Sequence, residues 1–358
     1  MQAMKHVTRF RQLSGLSLLI CSLYASPASA VDDSPVLSRI LFGSCIKQDQ
    51  PMPILRAIVD ERPDLFIFLG DNIYADTSDM EVMRAKYDKL RADAGFSRLI
   101  ATCPILATWD DHDFGVNDGG ADYSMKVESQ KLFVDFWNDP PDSPRRTREG
   151  IYDAAVFGPT GKRVQVILLD TRYFRSPLMT GDQRPGGRYI PSTQPDRTML
   201  GEAQWKWLEE QLLVPAELRI VATSIQLLAT ASGQETWSNL PLERERFFRL
   251  IETTNAGGVV LISGDRHWSE LSVLEERVVY PLYELTSSSL NQLHPRGTPT
   301  MNMLRAMPNT FHRENYGAIE IDWSRSQPSL RLEIRDLDKT VRLSKSLSLE
   351  QLKPSDSN

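Results

Sequence analysis

Several apolar strands of this chain end on residues able to bind a metal, and this constrains the fold more than any bulk property. The run Asp-Leu-Phe-Ile-Phe-Leu-Gly leads into Asp71 and then Tyr74. Val-Leu-Ser-Arg-Ile-Leu-Phe-Gly-Ser leads into Cys45, and Ile-Leu-Ala-Thr-Trp leads into Asp110, Asp111, His112 and Asp113. Val-Gln-Val-Ile-Leu-Leu reaches Asp170, and Gly-Val-Val-Leu-Ile-Ser-Gly reaches Asp265 and His267. Short, continuously apolar runs between helical stretches read as central strands buried on both faces. Sites in layered α/β folds form where such strands end. Cys, Asp, Tyr and His at successive strand ends therefore point to one polar, metal-binding site.

The chain has 358 residues, 41% hydrophobic and 25% charged, enough for one large domain with a sizeable core. The net charge of −6 disfavours a stable nucleic-acid partner and an anionic membrane surface. It leaves a phosphate substrate open, because a metal site supplies its own positive charge. At the N-terminus, Lys5, Arg9 and Arg11 precede an apolar stretch, Leu13 to Tyr24, too short to span a bilayer. Ala28-Ser29-Ala30 follows as an Ala-x-Ala cleavage site. Residues 1–30 are thus expected to be a signal peptide of the general secretory type, giving a periplasmic or secreted protein. Ile20 before Cys21 argues against a lipid anchor, and no later segment is long and apolar enough to span a membrane.

Residues 31–344 are expected to form a single α/β domain, with 345–358 as a polar tail. Helices are expected around Ile54–Val59, from the Ser78-x-x-Glu81 capping box to about Asp93, across Leu132–Trp137, over 202–213 and over 241–252. Strands are expected at 38–44, 64–70, 105–109, 163–169, 218–225 and 258–263, with a hairpin over 318–323 and 330–334. Residues 171–200 carry Arg172, Arg175, Arg184, Arg188 and Arg197 with no clean period, as expected of a lid or binding loop. Residues 291–316 form a second long loop.

Asp71 at a strand tip can bridge two cations or cap a helix. Tyr74 reads locally as a packing aromatic, since a phenolate ligand needs a strongly Lewis-acidic metal. Three carboxylates around His112 repel one another unless cations or donors neutralise them. Asn117 and Asp118 add oxygen donors suited to calcium. Cys45 ends a strand on the same rim as Asp71, so metal ligation and a disulfide to Cys103 both remain open. Trp237, Trp268 and the apolar part of the 291–316 loop are expected to pack in the core or to shape a lipid or nucleoside pocket. His294 and His312 are not expected to be ligands.

The ordered set Gly-Ser-Cys45, Gly-Asp71-x-x-Tyr74, Trp-Asp-Asp-His112, Leu-Asp-Thr-Arg172 and Ser-Gly-Asp265-x-His267 resembles the motifs of the PhoD-like alkaline phosphatases, within the calcineurin-like metallophosphoesterases. Met-Leu-Gly-Glu-Ala-Gln-Trp-Lys-Trp-Leu at 199–208 is also similar to a stretch of that family. The resemblance implies a four-layer sandwich of two mixed sheets flanked by helices, and a site holding ferric iron (Fe3+) and calcium (Ca2+). Cys45, Asp71, Tyr74 and His267 would face iron, with Asp71 bridging. Asp111, Asn117 and Asp265 would face calcium. His112 would assist the leaving group and Arg172 would steady a phosphate oxygen. The chain departs from longer members in having no room for an N-terminal β domain and no twin-Arg signal.

The implied activity is hydrolysis of phosphate esters by a metal-activated water or hydroxide attacking in line. Small phosphate esters and lipid or nucleotide diesters would both be substrates. One alternative is a phosphodiesterase or phospholipase-like hydrolase with little monoesterase activity. The other is a secreted metal-binding protein without catalysis.

Overall fold

The computed structural model describes residues 34–184, 186–230, 233–294 and 301–354. The expected signal peptide lies outside the described residues. Along the chain run β1 (Arg39–Gly43), α1 (Ile54–Asp60), β2 (Leu65–Leu69), α2 (Met80–Ala92), α3 (Ala94–Thr102), β3 (Ile105–Thr108), α4 (Asp111–Phe114) and α5 (Lys126–Phe136). These are followed by β4 (Asp153–Phe157), β5 (Val164–Leu168), β6 (Met179–Arg184), β7 (Gly187–Ile190), α6 (Gly201–Leu212), β8 (Leu218–Ala222) and α7 (Pro241–Thr254). The remainder is β9 (Val259–Ser263), β10 (Glu270–Leu274), β11 (Leu282–Thr286), β12 (Asn315–Asp322), β13 (Ser329–Asp336) and β14 (Val341–Ser348).

The strands form two mixed six-stranded sheets, ordered β14-β13-β12-β1-β2-β3 and β10-β11-β9-β8-β5-β4, plus the β6–β7 hairpin. Strand alternation sorts side chains into layers. In the first sheet Ile40, Phe42, Leu65, Ile67 and Leu69 face the second sheet's Val164, Val166, Ile220 and Val260 in a shared core. The intervening Leu41, Phe66 and Phe68 point the other way, onto Leu55 and Ile58 of α1, Phe96 of α3 and Phe133 of α5. Trp205 and Leu208 of α6 with Phe247 and Ile251 of α7 cover the outer face of the second sheet. The result is the expected four-layer sandwich. Each fully buried Phe or Leu contributes about 1.5–3 kcal/mol, so this double-sided burial is what holds the central strands in place.

Helix ends follow local chemistry. Asp79 caps α2, accepting from the Glu81 amide at 2.9 Å and the Val82 amide at 3.4 Å. The cap is therefore one residue later than the Ser78 of the expected capping box. Asp93 ends α2 and caps α3, accepting from Gly95 and Phe96 at 2.8 and 2.9 Å. Pro241 opens α7, and Asn255 closes it in the left-handed region at φ 52°.

Two expectations are corrected. Residues 345–358 are not simply a polar tail. Positions 345–348 complete β14, which pairs antiparallel with β13, and Leu347, Leu349 and Leu352 are buried. An edge strand with one face in solvent carries alternating Lys, Arg and Ser, which reads as polar. The 171–200 segment also contains a paired hairpin, not one long loop. Trp237 and Trp268 are core residues, 0% and 1% exposed.

Candidate metal centre

β1, β2 and β3 are mutually parallel, as are β5, β8, β9 and β11. Their carboxyl ends therefore open onto one edge of the sandwich, and the ligand-bearing turns sit there side by side. The turns of the two sheets are stitched together. Ser44 Oγ donates to the Ser287 carbonyl at 3.2 Å, and the Leu290 amide donates to the Ser44 carbonyl at 3.0 Å. Gly264 packs so closely that an added Cβ would lie 2.4 Å from Ser44 Oγ. Gly70, at φ +102°, would place a Cβ 2.5 Å from that of Asp110, so glycine is required before Asp71.

The backbone is strained at the candidate ligands. Cys45, Asp71, Asp265 and His267 have φ of 61°, 51°, 68° and 59°. Each such residue costs on the order of 1–3 kcal/mol and persists only where the surroundings over-determine it, typically at functional sites.

Cys45 Sγ, an Asp71 carboxylate oxygen and a His267 ring nitrogen lie within 4.8 Å of one another. Tyr74 joins them, its hydroxyl 3.1 Å from Asp71 Oδ2 and 3.0 Å from His267 Nε2. Asp71 also clusters with Asp111 and His112, and Asp111 with Asp110 and Asp265, by the same separation. A further cluster joins Asp111 to Asp118 and Glu235. Asp71 thus stands between a Cys–Tyr–His side and an all-carboxylate side. Thiolate, phenolate and imidazole suit a Lewis-acidic transition metal, and carboxylates suit a hard cation.

The electrostatics fit bound cations. Burial, with Cys45 beside it, pushes the Asp71 carboxyl up, and burial raises Asp265 to about 6 and Asp118 to about 7. Burial also pushes the Cys45 thiol up to about 12. Burial, aided by Arg266, takes His267 down to about 4, leaving the neutral imidazole a metal requires. Asp110 Oδ2 and Glu235 Oε2 are buried without a hydrogen-bond partner. Orphaned carboxylate oxygens in so acidic a pocket are costly unless positive charge faces them.

Asp113 ties the two carboxylate turns together. Its Oδ1 accepts from the Asp71 and Asp110 amides at 3.1 and 2.7 Å. Its Oδ2 accepts from the Asn72 amide at 3.2 Å and from Asn72 Nδ2 at 2.6 Å. His112 lines the cleft over the site. Its Nδ1 is 2.7 Å from Asp76 Oδ1, and its ring lies 4.3 Å from that of Tyr74. Burial alone would lower the His112 pKa, but Asp71, Asp111 and Asp76 outweigh it and hold it up at about 11.

The cleft has a volume of about 500 Å³ and is walled by Asn117, Asp118, Arg188, Tyr189, Gln234, Glu235, Arg266 and His294 besides the ligand turns. A separate cavity of about 380 Å³ beside α5 and Arg145–Glu149 contains none of the site residues.

Most of the expected residues converge, with two departures. Arg172 is fully buried and does not line the cleft. Its guanidinium is clasped by Asp110 and by Glu235, the latter at 2.8 Å. Buried carboxylates that crowd the strand ends need a cation within the protein, and Arg172 is that cation rather than a phosphate contact. Asn117 is exposed, and its side chain makes no hydrogen bond to a site carboxylate among the described residues. Cys45 and Cys103 are both free. Glu235 was not expected. It follows no strand, so no local pattern marks it. Asp76, the partner of His112, lies on a turn whose geometry only the fold fixes.

Two face-to-face mixed sheets, with this donor set at their strand ends, define a metallophosphoesterase-type sandwich. Residues 40–328 match the profile of the PhoD-like phosphatase family, and the chain belongs to that family. It is 25% identical over 278 residues to alkaline phosphatase D of Bacillus subtilis (strain 168), covering 64% of this chain and 45% of that protein. The chain therefore spans less than half the length of that relative. A solved structure of PhoD superposes with a TM-score of 0.68 at 19% identity, covering 92% of this chain and 73% of the other. No helix among the described residues is long and apolar enough to cross a membrane.

Proposed function

We propose that this protein is an exported, metal-dependent phosphoesterase. The observation that carries the reading is the convergence of Cys45, Asp71, Tyr74 and His267 beside Asp111 and Asp265, with Asp71 common to both groups, under one cleft. Cys45, Asp71, Tyr74 and His267 suit Fe3+, and Asp111, Asp265 and the neighbouring carboxylates suit Ca2+. Bound there, such cations would supply positive charge for a phosphoryl group and would lower the pKa of a water at the site.

The chain's own residues do the rest. His112, fixed by Asp76, is placed to give a proton to the leaving oxygen. Arg266 lines the cleft next to Asp265 and offers its guanidinium to an equatorial oxygen. Arg172 orients Asp110 and Glu235 from beneath. Nothing in this arrangement separates monoesters from diesters, and both fit. The basic and apolar segments before Ala30 support export.

The test is phosphate-ester turnover by the full chain reconstituted with iron and calcium, measured on p-nitrophenyl phosphate and bis(p-nitrophenyl) phosphate. Wild type is expected to hydrolyse at least one of them, and Asp71→Ala neither. Undiminished activity in Asp71→Ala would refute the site. Exclusive turnover of the diester would select the phosphodiesterase form of the reading.

A further inference from the structure

The arginines around the cleft are not equivalent. Arg172 and Arg175 are buried and held by Glu235, with Asp110 or the Gly119 carbonyl as further partners. Arg266 is paired with Asp265 and lies 5.3 Å from the Trp268 ring centroid. Arg197 reaches Gln194 and the Pro177 carbonyl, away from the cleft. Arg188 differs from all of these. It is exposed on β7, it lines the cleft, and among the described residues no carboxylate pairs with it. Its guanidinium carbon stands 5.9 Å from the Tyr189 ring centroid.

The strand that carries Arg188 is anchored. The Tyr189 amide donates to the Gly233 carbonyl at 3.1 Å, and the Tyr189 hydroxyl donates to Asp118 Oδ2 at 2.5 Å. Gly187, at φ +123°, sits so close that an added Cβ would meet the Gly233 carbonyl oxygen at 2.0 Å. Arg188 is therefore presented from a segment pinned on both sides to the walls of the site. Its side chain meets the Tyr189 hydroxyl but no counter-charge, and holding a rotamer-rich cation without a carboxylate partner over a cleft has a purpose where an anion comes to meet it. The acidic floor, Asp111, Asp118, Glu235 and Asp265, belongs to the cation-binding groups and cannot serve as its partner there.

The cleft is also larger than one phosphoryl group requires. At about 500 Å³ it falls in the range that encloses a drug-sized molecule, leaving room for the ester substituent. We propose that Arg188 reads a second anionic group on that substituent. The preferred substrates are then phosphoesters whose alcohol part carries its own carboxylate or phosphate. This rests on the phosphoesterase reading above and adds the substrate class to it.

The experiment compares ethyl phosphate with 2-carboxyethyl phosphate, which differ by the carboxylate group that carries the second charge. Phosphate release is followed for metal-loaded wild type, Arg188→Ala and Arg188→Lys, with circular dichroism confirming that the variants fold. Wild type is expected to favour the carboxylate probe in kcat/KM. Arg188→Ala is expected to lose about tenfold to hundredfold more on that probe than on ethyl phosphate, the range of a charge-assisted hydrogen bond, and Arg188→Lys to recover part of it. Equal losses on both probes, or no preference in wild type, would overturn the inference and leave the phosphoesterase reading standing. Absence of turnover of either probe by wild type would overturn both.

Discussion

Replacing Asp113 by Ala probes how the centre is held together. Its carboxylate accepts the backbone amides of Asp71, Asn72 and Asp110, all fully or almost fully buried, and the side-chain amide of Asn72. The Asn72 side chain keeps its bond to the Thr108 carbonyl at 2.9 Å in the variant. Among the described residues the three backbone donors have no other acceptor, and each orphaned buried donor costs about 1–3 kcal/mol. Partial entry of water into the space left by the carboxylate offsets some of this, so the expected loss is about 4 kcal/mol. Urea unfolding of the metal-free chain measures it as a lower midpoint at unchanged slope. Asp71 and Asp110 belong to the two turns that carry ligands, so calorimetric titration should also show weaker cation binding. A loss below about 1 kcal/mol with unaltered cation binding would refute the role assigned to Asp113.

Other outcomes follow from the same geometry. Arg172→Ala leaves Asp110 and Glu235 buried without their cation, and should destabilise the metal-free protein by about 3–5 kcal/mol in denaturant unfolding. Glu284, away from the cleft, accepts the Leu227 and Leu228 amides at 2.7 and 2.6 Å, yet burial raises its pKa from 4.5 to about 7. The fold therefore favours the protonated acid. The contribution of Glu284 to stability should be fully present below pH 4.5 and be lost as the pH rises through 7, by on the order of 3 kcal/mol, and Glu284→Gln should remove that component of the pH dependence. Asp49→Asn removes two partly exposed pairs, to Lys86 and Lys89, and should change stability by less than about 1 kcal/mol at 0.15 M salt.

Much of the site was legible because buried parallel strands leave a strong trace. Leu65–Leu69 and Val259–Ser263 are fully buried runs, so the residues that follow them must emerge at a sheet edge. Cys45, Asp71, Asp111, Asp265 and His267 stand at such ends and converge in the fold. Tyr74 joins them in space, but nothing local in the sequence distinguishes it from a packed tyrosine, and only the family resemblance points to it. Arg172 was placed at the correct strand end but given the wrong direction, because sequence does not record which of several nearby carboxylates a long side chain meets. Glu235 and Asp76 lie on irregular segments, where no periodicity announces a role. The left-handed backbone at Cys45 and His267 is equally silent, as neither residue type signals it. The second half of half-exposed β14, from Lys345, reads as tail for the same reason that edge strands are soluble: their polar face dominates the composition.

Cys45, Asp71, Tyr74 and His267 are proposed to hold one metal while Asp111 and Asp265 help to hold another. Elemental analysis of the native protein, with its visible spectrum, tests this most directly. Iron together with calcium is expected, with a phenolate-to-iron absorption that disappears in Tyr74→Phe. Protein isolated without stoichiometric metal, or iron-loaded protein whose spectrum is unchanged by Tyr74→Phe, would contradict it.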